Sequence, residues 1–91
     1  MKKKYRGAHS ELIACSWLIA QGYEVFRNVS NHGPADIVAI KDGRCYLFDV
    51  KTGPCATVTE EQHSLSVGLV NVSRDGTCVI RKAKYIKKTI L

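Results

Sequence analysis

No apolar run in this sequence approaches the roughly 20 residues that a membrane-spanning helix needs. Lys2-Lys3-Lys4 has the charge of a leader peptide's first segment, but His9, Ser10, Glu11 and Ser16 interrupt the residues that follow. A secretory leader is therefore not expected, and neither is a membrane partner. There is no C-x-x-C pair among Cys15, Cys45, Cys55 and Cys78, and His9, His32 and His63 form no zinc-ligand spacing with them. Cys15 and Cys45 lie in apolar runs and read as buried small hydrophobes. A reducing, cytoplasmic setting is the expectation, although the cysteine count alone also permits two disulfides. Internal repeats, low-complexity stretches and domain boundaries are all lacking, so the 91 residues are expected to form one domain.

Acidic residues are also scarce, eight against fourteen basic ones, which leaves a net charge of +6. Nine of the fourteen cations sit near the ends, at Lys2, Lys3, Lys4 and Arg6 and at Arg81, Lys82, Lys84, Lys87 and Lys88. The centre holds most of the acids. Basic terminal segments around an acidic centre suit a polyanionic partner such as DNA, although basic tails also serve simply to keep a protein soluble.

What the chain does have is a run from Gly33 to Gly53, GPADIVAIKDGRCYLFDVKTG. Two short apolar runs, Ile37–Ile40 and Cys45–Val50, flank Lys41-Asp42-Gly43-Arg44, and an Asp-Gly pair between β-rich runs predicts a hairpin. With the turn at Asp42-Gly43, Asp36 falls opposite Asp49 to within a residue or two. Side chains alternate along a strand, so Asp49 and Lys51 share one face and Val50 takes the other. Two carboxylates and an ammonium then meet at one end of the ribbon. Close carboxylates repel unless a cation joins them, and Mg²⁺ takes such oxygen ligands while retaining water. A lysine beside the metal can orient a water and stabilise negative charge on a phosphodiester. The same letters also arise from a turn aspartate and a solvated Asp49–Lys51 pair, but a charge at Asp49, between Phe48 and Val50, is costly unless used.

Pro34-Ala35-Asp36, followed after twelve residues by Asp49-Val50-Lys51, resembles the core of the PD-(D/E)XK nuclease superfamily, with Ala35 standing between the proline and the first acid. Gly7-Ala8-His9-Ser10-Glu11, continuing to Leu18, Gly22-Tyr23 and Val25, looks like the opening of its Holliday-junction-resolvase-type members. The resemblance implies a restriction-endonuclease-like α/β core with a central mixed β-sheet flanked by helices. It implies a Mg²⁺-dependent endonuclease, with Mn²⁺ as a substitute, cutting DNA and in particular branched DNA. Asp36, Asp49 and the carbonyl of Val50 would ligate the metal, Lys51 would position water, and Glu11 would assist the metal. Gln62 would support the site. Cutting two strands with so small a domain favours a homodimer. Glu11 also reads simply as an acid in the first half of a helix, and Gln62 as the N3 residue of a Thr59 capping box.

In chain order, Tyr5 to Gln21 predicts a helix, with Ala8, Leu12, Cys15 and Ile19 as its buried stripe and Ile13, Trp17 and Ala20 widening it. Gly22 is the expected C′ residue with Tyr23 as its hydrophobic follower. Tyr23–Val29 predicts a strand, and Ser30 to Pro34 a loop in which His32 is exposed. A short helix from Thr59 to about Gly68 carries Leu65 after the hairpin. Leu69–Ser73 and Thr77–Lys82 predict two more strands around Arg74-Asp75-Gly76, for an order of α-β-β-β-α-β-β. Two other function classes fit the charge pattern, a non-catalytic nucleic-acid-binding protein and a subunit docking an acidic partner. A pure binder has no need for the Asp36/Asp49/Lys51 set.

Overall fold

The computed structural model describes residues 2–30, 32–53 and 66–81. A 3₁₀ turn, Lys3–Tyr5, leads into α1, Arg6–Ala20. The helix stops where Gly22 takes φ 94°, a conformation that costs glycine little. The Gly22 N–H donates to Ile19 O at 3.0 Å and the Tyr23 N–H to Leu18 O at 3.1 Å, the two bonds of a Schellman motif.

Five strands follow, β1 (Glu24–Arg27), β2 (Ile37–Lys41), β3 (Arg44–Thr52), β4 (Val67–Val72) and β5 (Cys78–Arg81). They form one mixed sheet in the order β1-β2-β3-β4-β5. All neighbours are antiparallel except β3 and β4, which run parallel. The β2–β3 turn pairs Lys41 with Arg44 and gives Asp42 and Gly43 φ values of 53° and 74°. This is the type I′ geometry that an Asp-Gly pair favours. Parallel strands need a crossover, and the chain between β3 and β4 runs through 54–65, outside the described residues. The capping box at Thr59 and the body of the expected second helix fall there.

Its expected end at Gly68 is corrected: Gly68 lies inside β4, paired with Phe48. Every residue of Val67–Val72 is buried, as in a strand packed on both faces. Pairing along that strand outweighs the stop signal of one glycine.

The face of the sheet that carries Ile37, Ala39, Phe48, Val70, Val72 and Cys78 packs on Ala14, Cys15 and Leu18 of α1. Tyr46 stacks on Phe48 at 5.9 Å, and Tyr23 meets both rings edge-on. The buried stripe of α1 also needs correction. Leu12 and Ile19 are 55% and 61% exposed, whereas Ser10, Ala14, Cys15 and Leu18 are buried. Apolar residues surround most of this helix, so periodicity leaves its rotation open. Ala14, with its small side chain, lets the helix approach the sheet, and Ser10 locks the rotation through a 2.7 Å hydroxyl–hydroxyl hydrogen bond to Thr52 on β3. Among the described residues no helix is long and apolar enough to cross a membrane.

Candidate active site

Strand alternation sends Phe48 and Val50 towards α1 and leaves Asp49 and Lys51 on the opposite face. Backbone directions alternate as well. In an antiparallel ladder a residue's N–H and C=O point to the same side, and the Phe48 carbonyl accepts from the Asp36 N–H at 2.9 Å. Two residues on, the backbone groups of Val50 face the same way, beyond the point where β2 begins at Ile37. The N–H of Val50 would have no strand partner there. The Asp36 side chain supplies one, its Oδ2 accepting from Val50 N at 2.8 Å. The carboxylate thus occupies the place of a further β2 residue, beside the outward-facing Val50 carbonyl.

Asp36 is held firmly. Its carbonyl accepts from Asn28 N at 2.8 Å, while the Asn28 side chain organises the loop before it. Asn28 Nδ2 donates to the carbonyls of Ala35 at 2.9 Å and His32 at 2.6 Å, and its Oδ1 accepts from Ser30 N and Oγ. The side chain of His32 is exposed, as expected.

Asp49 is only 7% exposed. Lys51 Nζ lies 3.0 Å from its Oδ2, an ion pair by distance. The ammonium approaches off the hydrogen-bonding directions, however, and Oδ2 is a buried oxygen without an aligned donor. Asp36 and Asp49 are close enough for their carboxyls to hydrogen-bond each other. Burial raises the Asp36 carboxyl from its ordinary 3.8 to about 6, reinforced by that bond and by the negative charges of Asp49 and Glu11. The Val50 N–H pulls the other way and only partly offsets them. Two carboxyls with one laterally placed ammonium therefore make a site short of positive charge.

Glu11 lies near enough to act on Asp36 electrostatically, but its Oε1 is paired with Arg27 Nη2 at 3.5 Å. Among the described residues no group of three or more His, Cys, Asp or Glu is arranged to hold a metal. Glu11 thus stays at the margin of the pair, and Gln62 lies outside the described residues. The structure brings Asp36, Asp49, Val50 and Lys51 together. A Mg²⁺ ion is commonly held by one or two carboxylates with waters completing its shell, so this donor set fits one without a third acid.

Sequence reading did not anticipate Arg27, Asn28 or Asn71. Asn71, buried on β4, donates through Nδ2 to the carbonyls of Gly53 at 2.7 Å and Lys51 at 3.2 Å, pinning the end of β3 just past the lysine. Its signal was present, an amide inside a valine-rich run where a polar group needs partners. Asn28-Val29-Ser30 has the spacing of an Asx turn.

No protein-family model matches the chain, and no curated protein matches it in sequence. Among solved structures it is similar to a bacterial homing endonuclease, I-Ssp6803I, with a TM-score of 0.67 and 12% identity. That likeness covers 97% of this chain and 77% of the other. At such low identity it is the fold that the two proteins share, a nuclease-like α/β core built on one mixed sheet.

Proposed function

We propose that this chain is a metal-dependent endonuclease of the PD-(D/E)XK type that hydrolyses DNA phosphodiesters, working as a homodimer on branched DNA. The observation that carries the reading is the Asp36–Asp49 carboxyl pair, with Lys51 beside it and Asp49 Oδ2 lacking an aligned donor. A structural ion pair gains nothing from a second, half-buried acid, whereas a divalent-cation site can use both carboxylates as ligands. The resemblance of Gly7–Glu11 to junction resolvases supports the branched substrate, and the endonuclease neighbour supports nuclease chemistry.

Asp36, Asp49 and the Val50 carbonyl would hold Mg²⁺, which when bound supplies charge neutralisation at the phosphoryl oxygens. The chain's own residues do the rest. Lys51 Nζ, anchored at Asp49, donates to the attacking water and sets its direction towards phosphorus. As the water oxygen bonds to phosphorus, it gives up a proton to solvent. The P–O bond to the leaving oxygen breaks, that oxygen takes a proton from solvent, and the same ammonium stabilises the growing negative charge. Asn71 fixes the Lys51 backbone, and Asn28 fixes that of Asp36, so both groups are preorganised. Glu11, positioned by Arg27, adds negative potential beside the pair and raises its attraction for a cation.

The ligands are all oxygen, so cleavage of a labelled four-way junction is expected with Mg²⁺ or Mn²⁺, with Ca²⁺ supporting binding but little turnover. A linear duplex of matched sequence is expected to be cut more slowly. Undiminished cutting in excess chelator would remove the metal from the account, and equal cutting of both DNAs would remove the branch preference.

A further inference from the structure

One sizeable cavity lined by described residues is not at the carboxyl pair. It lies on the α1 side of the sheet, about 620 Å³, between the first turns of α1, the end of β3 and the β4–β5 turn. Arg6, His9, Ser10, Thr52, Ser73 and Arg74 supply its polar wall. Arg6, His9 and Ser10 stand at i, i+3 and i+4 and so share one helix face, while Arg74 comes from across the gap. Among the described residues no carboxylate lines the cavity, and neither arginine has an ion-pair partner. Its walls are tied together. Ser10 and Thr52 share their 2.7 Å hydrogen bond, Gly53 N donates to Val72 O at 3.2 Å, and Ser73 N donates to Thr77 O at 2.9 Å.

We propose that this cavity is a phosphate-binding subsite for the nucleic-acid backbone, gripped by Arg6 and Arg74 with His9 and Ser73 as further donors. It rests on the nuclease reading above and extends it to a second contact with the same substrate. Two arginines lining one cavity, with no carboxylate among its described lining residues, suit an oxyanion, which arginine binds through paired N–H donors. The volume far exceeds what a single free phosphate fills. Among the described residues no aromatic side chain lines the cavity to stack on a base, so the proposed contact is to backbone. Its place is apt. Thr52 follows Lys51 directly on β3, and strand alternation turns the two to opposite faces of the sheet, so a DNA backbone that reaches both sites would pass round the end of β3.

Anisotropy of a labelled 20-base-pair duplex, in chelator and across a salt series, tests the assignment without involving the metal site. The Arg6→Gln/Arg74→Gln protein is expected to lower the slope of log K against log salt by about 1.8 and to bind about tenfold or more weaker at 0.1 M salt. Arg44→Gln, which removes a charge at the far end of the β2–β3 hairpin, is expected to lower the slope by less than half that amount. The His9 ring resonances are expected to shift with duplex and not with millimolar inorganic phosphate. Both substituted arginines are exposed, and circular dichroism confirms the fold of the variant. An unchanged slope and affinity would overturn the subsite, as would a His9 shift that saturates with inorganic phosphate alone. If the double variant binds like wild type and wild type still cuts with Mg²⁺, the subsite falls and the nuclease reading stands. Loss of binding in the variant, with no cutting by wild type under any divalent metal, leaves the subsite standing and removes the nuclease.

Discussion

Lys51→Ala is expected to bind DNA in Ca²⁺ like the wild-type protein and to cut it on the order of 10²-fold more slowly or worse in Mg²⁺. The side chain is 41% exposed, so its pairing with Asp49 is partly screened and contributes about 0–1 kcal/mol to stability. Its removal leaves the Asp36 and Asp49 carboxyls in place and takes away the ammonium that directs water and meets the developing charge. Added Mg²⁺ is therefore not expected to restore the rate. Asp49→Asn provides the contrast, since it weakens the proposed metal site itself and raised Mg²⁺ should partly rescue it. Single-turnover cleavage with thermal melts of both variants separates the outcomes. A non-catalytic DNA binder would show the small stability change and no rate to lose. A Lys51→Ala protein cutting at the wild-type rate would remove the lysine from the chemistry.

Asp36→Asn is expected to abolish Mg²⁺-dependent cleavage while making the metal-free protein more stable. Asparagine keeps an oxygen to accept from Val50 N–H, and its amide N–H₂ can donate to Asp49, so both local bonds survive. What disappears is the repulsion between two carboxylates. The folded-state affinity of Asp36 for a proton exceeds the ordinary one, with a pKa of about 6 against 3.8. The native state then binds more protons than the unfolded state over that interval, and wild-type stability falls as pH rises from about 4 through about 6. Asparagine mimics the protonated form. The melting temperature of the variant should exceed wild type by several degrees at pH 8, about 4–8 °C for each kcal/mol relieved in a domain of this size. The gap should close near pH 4. Saturating Mg²⁺ should reverse the order by stabilising only the protein that binds it. A destabilised variant at pH 8 without metal would mean that Asp36 is a structural anion rather than a metal ligand.

Most of the framework was legible because it depends on residues close in sequence. Asp42-Gly43 chose the hairpin turn, which placed Asp36 against Asp49. Gly22 and Tyr23 ended the helix in the expected pair of bonds, and Arg74-Asp75-Gly76 turned β4 into β5. The rotation of α1 was not legible, because Leu12, Ile13, Trp17, Leu18 and Ile19 offer more than one apolar face. It follows from a contact 42 residues away, Ser10 with Thr52. The start of β4 was missed for a similar reason, since Gly68 reads as a helix stop until Phe48 is placed beside it. At the site, the acids and lysine carried a chemical signature. Their supports, Asn28 and Asn71, act through backbone carbonyls whose directions depend on the finished sheet. The use of the Asp36 carboxyl as a substitute strand acceptor likewise appears only once β2 is known to begin at Ile37.

Mn²⁺ titration of the DNA-free protein, with proton release followed at pH 6 and pH 8, tests most directly whether the carboxyl pair is a metal site. At pH 6 the Asp36 carboxyl is about half protonated, so the metal must displace about half a proton per site, falling towards none at pH 8. Binding is expected to be weaker at the lower pH and absent from Asp36→Asn at both. Equal Mn²⁺ affinity in wild type and Asp36→Asn, with no proton released at pH 6, would contradict the assignment of Asp36 and Asp49 as the metal-binding pair.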